Sequence, residues 1–146
     1  MFKFSDLTIT SQLIDGQFPN YNAIFDNKWE TECIIDKDLL IKNVKQVSAI
    51  DIEKKGSIHF EINSNKCYLS VDIAEGQKSS VCIDCVCSTT SMVFNVSAKY
   101  LLDSLNSLSG NNIKIEYIKP DSPIKFTGDN ENHIEIVMPI KQNANE

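Results

Sequence analysis

A strand pattern passes directly into a helix pattern within residues 92–110, MVFNVSAKYLLDSLNSLSG. The apolar residues up to Val96 recur at alternate positions, which is typical of a strand with one buried face. Ser97 is a typical N-cap, leucines then recur at helical spacing, and Gly110 is a residue type that commonly ends helices. These residues therefore predict a strand, a cap and an amphipathic helix in direct succession.

The same order of elements occurs earlier in the chain. Residues 32–35, ECII, read as a strand, Asp36 as an N-cap, and the following residues as an amphipathic helix. One constant offset superposes Asp36 on Ser97, Leu40 on Leu101, Val44 on Leu105, and Val47 on Leu108. A shared register of this kind predicts an internal repeat.

Each predicted helix is followed by three segments in which apolar and polar residues alternate, as in strands of a sheet with one covered face. In the first unit, the predicted inward residues are Ile58, Phe60, Ile62, Cys67, Leu69, Val71, Ile73, Val81, Ile83 and Cys85. In the second unit, they are Ile113, Ile115, Tyr117, Ile124, Phe126, Ile134, Ile136 and Met138. The sequence therefore predicts an α+β fold with two β-α-β-β-β repeats and two helices on one side of antiparallel sheet made by both halves.

Composition limits the class of protein. The chain has 146 residues, of which 42% are hydrophobic and 23% are charged, as expected for one domain with a full core. We find no pattern typical of a signal peptide and no run of about 18 apolar residues, so we expect a cytoplasmic protein without a membrane partner. The net charge of −6 argues against a surface that coats nucleic acid all over, although a local basic face is compatible with it.

The five cysteines first suggest a metal or redox site, because Cys82 and Cys85 have CxxC spacing. In a strand, however, alternation sends Cys82 to the face opposite Cys85 and Cys87, where the pair cannot share an ion. There is no second CxxC. We therefore predict buried thiols that act as small hydrophobic residues, and neither a metal nor another cofactor. The full set is Cys33, Cys67, Cys82, Cys85 and Cys87.

Two apolar segments that contain proline lie near the two ends of the chain. Residues 13–21, LIDGQFPNY, cannot continue a helix or a central strand, because Pro19 has no N–H and keeps the preceding residue extended. These residues read as a linker. Residues 136–140, IVMPI, begin as a strand and remain apolar beyond Pro139, which suggests a surface that a partner covers.

These segments, together with the helix at 98–105 and the hairpin at 121–124, resemble the C-terminal third of the bacterial DNA polymerase III beta subunit, the sliding clamp. The resemblance implies a DNA-clamp fold, and a ring of two subunits that each have three such domains. On this map, residues 1–19 are the last strand of the middle domain plus a linker, residues 20–141 are the third domain, and residues 142–146 are a polar tail. Leu7, Ile9 and Leu13 should then form a strand without its sheet, and residues 1–10 should be either mobile or paired with another chain.

The resemblance leaves the first domain and most of the second without a counterpart. If closing the ring requires the contact between the first and third domains, this chain cannot close one alone. Whether it is part of a longer protein, the product of a split gene or the product of an internal start is left open, as is its oligomeric state.

The resemblance also implies an apolar pocket for short peptide motifs. The positions that match it are Pro19, Ile24, Pro123, Ile136, Met138, Pro139 and Ile140. An adaptable methionine beside aliphatic walls suits a variable leucine or phenylalanine of a ligand. The alternative is that Ile136 and Met138 belong to the core, since both lie on the alternating face of a strand. The family pocket has further walls in the middle domain, so we expect reduced affinity.

Two more surfaces follow from the same resemblance. Ala49 and Ile50, at the end of the first helix, match the surface that docks on another subunit. Duplex DNA is contacted without sequence specificity by lysines that face the hole of the ring, and the corresponding residues are Lys42, Lys45, Lys54, Lys55 and Lys99. The alternative for each lysine is an ordinary solvated helix face.

We thus expect the C-terminal domain of a sliding clamp, a processivity factor that tethers the replicative polymerase to DNA and catalyses nothing itself. Its partners would be DNA polymerase III subunits, the clamp loader and repair polymerases with clamp-binding motifs, duplex DNA, and another clamp subunit or the missing domains. The alternative is a truncated, stand-alone peptide-binding module that competes for clamp partners without encircling DNA. An enzyme is disfavoured, because no set of nucleophile, base and orienting residue and no Gly-rich phosphate loop is visible.

Overall fold

The computed structural model describes residues 1–17, 20–25, 28–29, 31–50, 56–73, 77–88 and 91–140. Its elements in chain order are β1 (Phe2–Phe4), β2 (Leu7–Ile9), α1 (Asn22–Phe25), β3 (Thr31–Asp36), α2 (Lys37–Ser48), β4 (Ser57–Asn63), β5 (Lys66–Asp72), β6 (Lys78–Asp84), β7 (Val86–Cys87), β8 (Ser91–Ser97), α3 (Ala98–Ser107), β9 (Asn112–Tyr117), β10 (Ile124–Thr127) and β11 (Ile134–Val137). No helix in these ranges is long and apolar enough to cross a membrane.

The two main helices begin where the repeat predicts. Asp36 caps α2, since its carboxylate accepts a hydrogen bond of 2.8 Å from the backbone N–H of Leu39. Ser97 precedes α3 in an extended conformation and makes no side-chain cap bond within the described structure. Beyond α3, Gly110 has a φ of +98°, and a Cβ at this position would overlap the carboxylate of Asp129.

The two repeats exchange their first strands. One sheet has the order β6-β5-β4-β8 and the other has the order β11-β10-β9-β3-β7, with antiparallel pairing throughout both. Strand β3 of the first repeat pairs with β9 of the second, and β8 of the second pairs with β4 of the first. The predicted α+β fold, with two repeats that build antiparallel sheet jointly, is confirmed, and the strands are divided between two main sheets.

Both helices pack on these strands and on each other. Helix α2 buries Leu40, Val44 and Val47, and α3 buries Leu101 and Leu105. The core centres on the stacked rings of Phe60 and Phe94, whose centroids are 4.8 Å apart. Phe60 comes from the first repeat and Phe94 from the second, so neither repeat has a core of its own. Burying a side chain of this size contributes about 2 to 3 kcal/mol.

The predicted inward face of β11 is wrong. Val137 is the buried residue, with 4% of its surface exposed, whereas Met138 is 58% exposed and Ile134 and Ile136 are half-buried. Val137 pairs with Ile124, which is fully buried, and this register sets the side that faces the core. Because β11 is an edge strand, both of its faces stay partly accessible, and alternation alone identifies the wrong one.

The amino-terminal residues form a hairpin and not the single strand that we expected. Strands β1 and β2 pair with each other around a tight turn in which Ser5 has a φ of +49°. Every residue of both strands is exposed. Leu13 lies outside β2 and is 91% exposed. The resemblance to a strand of another domain gave no signal for this local pairing.

The cysteines divide into two environments. Cys33, Cys67 and Cys85 are buried, as predicted, and Cys87 is half-buried. Cys82 is exposed, so the prediction of a buried thiol is wrong at this position, because Cys82 lies on the outward face of β6. Pro19, Lys54, Lys55 and the tail at 142–146 lie outside the described residues.

Candidate functional site

A groove of about 760 Å³ lies between α3 and the end of β11. This volume lies within the range of ligand pockets in proteins. Its lining residues come from the start and middle of the helix and from the last described strand and the residues that follow it. They are Ser97, Tyr100, Asp103, Ser104, Glu135, Ile136, Val137, Met138 and Ile140.

Backbone hydrogen bonding holds the segment that forms one side of the groove. The backbone N–H of Ile140 donates a hydrogen bond of 2.8 Å to the carbonyl oxygen of Asn95 in β8. The side chain of Asn95 is in turn 2.9 Å from Nδ1 of His59 in β4. Residues 138–140 thus run from β11 towards β8. Because of this bond, Met138 and Ile140 are presented at defined positions next to the start of α3.

The groove combines apolar walls with an acidic edge. Ile136, Met138 and Ile140 provide aliphatic surface, and Tyr100 is 64% exposed on the helix beside them. The Glu135 carboxylate accepts a hydrogen bond of 2.8 Å from the Ser107 hydroxyl and lies 3.1 Å from Nε2 of His133. Asp103 adds a second, exposed carboxylate. Such a site suits a ligand with apolar side chains and hydrogen-bond donors.

The structure brings together part of the predicted pocket. Ile136, Met138 and Ile140 line the groove, and half-buried Pro139 lies between the last two. Pro123 precedes Ile124, which pairs with Val137, so Pro123 lies at the same end of the β10–β11 hairpin as Met138. Pro123 and Ile24 are not among the residues that line the groove. Ile24 is half-buried in α1.

The contribution of α3 was not predicted. Tyr100, Asp103 and Ser104 are spaced three and four residues apart and therefore share one face of the helix. That face is adjacent to the apolar face formed by Leu101 and Leu105. The sequence contains this spacing, but the prediction of the pocket gave no role to the polar face of the helix. An exposed tyrosine beside a core-facing stripe was the available signal.

The other predicted surfaces lie on or next to the helices. Lys42 and Lys45 are exposed on α2, three residues apart, and Lys99 is exposed near the start of α3. Ala49 and Ile50 are also exposed, directly after α2. The backbone N–H of Ile50 still donates to the carbonyl oxygen of Val47, at 3.2 Å. The roles of these residues in DNA contact and subunit docking stay predictions.

The exchanged strands, the two joint antiparallel sheets and the pair of packed helices define the class as a DNA-clamp fold. The family described as the DNA polymerase III beta subunit, C-terminal domain, matches residues 22–141. The chain belongs to this family. The resemblance inferred from the sequence is thereby confirmed.

Individual relatives agree with this assignment. The beta sliding clamp of Synechocystis is 25% identical over 132 residues, covering 87% of this chain and 33% of that protein. The beta sliding clamp of Caulobacter vibrioides is 26% identical over 122 residues, covering 84% of this chain and 33% of that protein. The chain therefore spans about a third of the length of these relatives.

Solved structures show the same fold. The Caulobacter crescentus polymerase III beta structure superposes with a TM-score of 0.82 at 23% identity, covering 90% of this chain and 36% of that one. The Pseudomonas aeruginosa sliding clamp with ligand also gives a TM-score of 0.82, at 18% identity and with the same coverage. At these identities the likeness establishes the arrangement of strands and helices and no finer property.

Proposed function

We propose that the chain acts as the C-terminal domain of a DNA sliding clamp, and that the groove between α3 and β11 binds the peptide motifs of clamp partners. The observation that carries the proposal is the presence of Ile136, Met138 and Ile140 in one groove, facing Tyr100. These are the residues of the terminal segment that matched the family, and exposed aliphatic and aromatic surface of this kind favours a partner.

The expected mechanism is binding without chemistry. A motif with a glutamine followed by an apolar pair would place its two apolar side chains against Met138 and the neighbouring aliphatic residues. Burying two such side chains contributes roughly 3 to 6 kcal/mol before the cost of ordering the peptide. A net value of about 5 kcal/mol or less corresponds to a dissociation constant on the order of 100 μM or weaker.

The carboxylates of Glu135 and Asp103 would orient the bound peptide. Glu135 is already held by Ser107 and His133, so its carboxylate can accept a further hydrogen bond from the ligand without first being ordered. The glutamine amide of the motif is such a donor. Asp103, on the helix side, disfavours an acidic residue at the same place in the peptide.

The family role also implies which proteins and which nucleic acid this chain would bind. Proteins with such motifs would be DNA polymerase III subunits, the clamp loader and repair polymerases. Lys42, Lys45 and Lys99 would contact the phosphates of duplex DNA without reading its sequence. Because a few lysines neutralise only a few phosphates, contact by this chain alone should be weak and should disappear as salt rises.

The experiment is a chemical-shift titration of the isotope-labelled chain with a clamp-binding-motif peptide. We expect the perturbed amides to cluster at 97–104 and 134–140. The matched control is the same peptide with alanine at both apolar positions, which should shift these amides little. Perturbations confined to α2 or to β6, with 134–140 unchanged, would contradict the placement of the pocket.

A second measurement separates a clamp domain from a stand-alone competitor. The solution mass of the chain would be determined alone and after mixing with a fragment that supplies the first two domains of a clamp. A heteromeric species of ring size supports the clamp role. If the peptide binds but no larger species forms, the stand-alone peptide-binding module is favoured.

A further inference from the structure

Cys33 meets Cys85 and Cys87, which come from a distant part of the sequence, at the edge of the five-stranded sheet. Cys33 in β3 and Cys87 in β7 lie directly opposite each other in the antiparallel register. Cys85 is the residue between β6 and β7, where the chain passes from one sheet to the other. The three Sγ atoms lie within 4.8 Å of one another, and those of Cys85 and Cys87 are 3.6 Å apart.

These distances are close to those of a thiolate metal site. Zinc binds thiolate sulfur at about 2.3 Å with tetrahedral angles, which places two sulfur ligands of one ion about 3.8 Å apart. The pair Cys85 and Cys87 already has nearly this separation. The Cys33 sulfur lies within 4.8 Å of both, so it needs to move by about an ångström or less, which side-chain rotation provides. Soft thiolate ligands in this number select Zn²⁺ or Cu⁺ over harder cations.

Hydrogen bonds hold the backbone around the cluster on two sides. The N–H of Cys85 donates to the carbonyl oxygen of Asn65 at 3.0 Å, and the N–H of Cys87 lies 3.3 Å from the side-chain oxygen of the same asparagine. On the other side, the N–H of Ser88 donates to the carbonyl oxygen of Glu32, at 2.9 Å. The sulfurs are therefore brought together by the fold, which lowers the entropic cost of binding an ion.

A cation at this cluster would bind the three sulfurs as thiolates, so its binding releases the thiol protons. Cys87 is half-buried and provides the route from solvent.

We propose that Cys33, Cys85 and Cys87 form a site for a thiophilic cation, Zn²⁺, with three thiolates from this chain and a fourth ligand from solvent. The ion joins β7 to β3 at the point where the chain crosses between the two sheets. Strand β7 has two residues and pairs with β3 alone at the sheet edge. A metal bond there therefore replaces hydrogen bonds that a longer strand would supply.

The proposal is independent of the peptide groove, which lies at the opposite end of the same sheet, on β11. The CxxC spacing in the sequence pointed to Cys82 and Cys85, and the structure leaves Cys82 exposed and outside the cluster. Cys67 is fully buried and is likewise not a member. Cys82 therefore offers a matched control for any substitution in the cluster.

The test uses the full chain, reduced and freed of metal by a chelator, and Zn²⁺ as the probe. Affinity is measured by competition with a chromogenic chelator, and stoichiometry by native mass spectrometry. We expect one Zn²⁺ per chain, and Cys87→Ser should weaken binding about tenfold or more, since even loss of a residue that only supports a ligand costs that much. Cys82→Ser should bind as the unaltered chain does. Cys87 is half-buried, so serine fits there without opening a core cavity.

A second readout reports the ligands directly. Co²⁺ in the site should show thiolate-to-metal charge-transfer absorption in the unaltered chain and in Cys82→Ser, and a weaker band in Cys87→Ser. Amide spectra of the metal-free variants confirm that each is folded. The proposal is overturned if the folded chain binds no Zn²⁺ at equimolar concentration, or if Cys82→Ser weakens binding as much as Cys87→Ser does.

Discussion

The two repeats of this protein end differently, although their last strands occupy equivalent places. After β6, the chain continues through Cys85 into β7, where Val86 pairs with Ile34 of the strand that begins the same repeat. After β11, Ile140 reaches Asn95, the residue that corresponds to Ile34, through one backbone hydrogen bond. The first connection is a short strand over a cysteine cluster, and the second borders an open groove.

Proline explains part of this difference. Pro139 has no N–H and cannot pair as a strand residue does, so the segment after β11 lies near β8 without adding a regular strand. In the first repeat no proline interrupts the corresponding connection. One architecture, used twice, thus ends in a paired short strand at one edge and in an open groove at the other. Substitutions at corresponding positions can test this contrast.

The largest effect is expected at the core that both repeats share. Phe94→Ala removes a ring that stacks on Phe60 and lies 5.6 Å from that of Tyr117, so it should lower the free energy of unfolding by about 3 to 5 kcal/mol. Denaturant unfolding measures the loss. Tyr68→Ala, at a half-exposed site on β5, is the control and should cost far less. Retention of one folded repeat in Phe94→Ala would show that the two units do not share a core.

The next largest effect is expected on peptide affinity, where a residue of α3 is compared with the corresponding residue of α2. Tyr100 lines the groove on α3, and Leu39, which is also exposed, is the corresponding residue on α2. Tyr100→Ala should weaken binding of a clamp-motif peptide about tenfold, or about 1.4 kcal/mol, because the aromatic wall is lost. Leu39→Ala should leave the affinity unchanged. Titration calorimetry or fluorescence anisotropy measures both, and equal affinities for the two variants would remove α3 from the site.

A smaller effect distinguishes the two helix caps. Asp36→Ala removes a carboxylate that accepts a hydrogen bond from the N–H of Leu39, and should cost about 1 kcal/mol in the free energy of unfolding. Ser97→Ala removes a hydroxyl that makes no cap bond within the described structure, and should cost less. Thermal unfolding of the two variants side by side checks this order. A larger loss for Ser97→Ala would show that the caps have been assigned incorrectly.

Local patterns in the sequence predicted most of the fold. The caps Asp36 and Ser97 and the strand-to-helix transitions after them are short-range features, and the structure confirms the repeat that they define. The exposed side of β11 was not predictable in this way, because the register with Ile124 and the edge position decide it. The hairpin at the amino end was missed because a family resemblance, which carried no local information, replaced the reading of its turn at Ser5.

The candidate sites were predictable to different degrees. Ile140 stood out as an apolar residue beyond Pro139, whereas Met138 was assigned to the pocket by the family resemblance, and the groove contains both. The place of Tyr100 beside the apolar face of α3 could have been predicted from helical spacing alone. The convergence of Cys33 with Cys87 could not be predicted, because it depends on the pairing of β3 with β7, and hydrophobic alternation carries no information on non-local strand order. Contacts within one helix or strand can thus be predicted from the sequence, whereas contacts between distant strands are known only from the structure.

The smallest effect concerns the end of α2, where the buried and exposed faces meet within one turn. Ile50 is 38% exposed, whereas Val47 is fully buried. Ile50→Asp should change the free energy of unfolding by about 0.5 kcal/mol or less, because its carboxylate can remain in water. Val47→Asp should cost several kcal/mol, because it buries an unpaired charge. Circular dichroism melts of both variants provide the comparison. If Ile50→Asp destabilised the chain nearly as much as Val47→Asp, Ile50 would belong to the core, and the docking surface predicted at Ala49 and Ile50 would have to be abandoned.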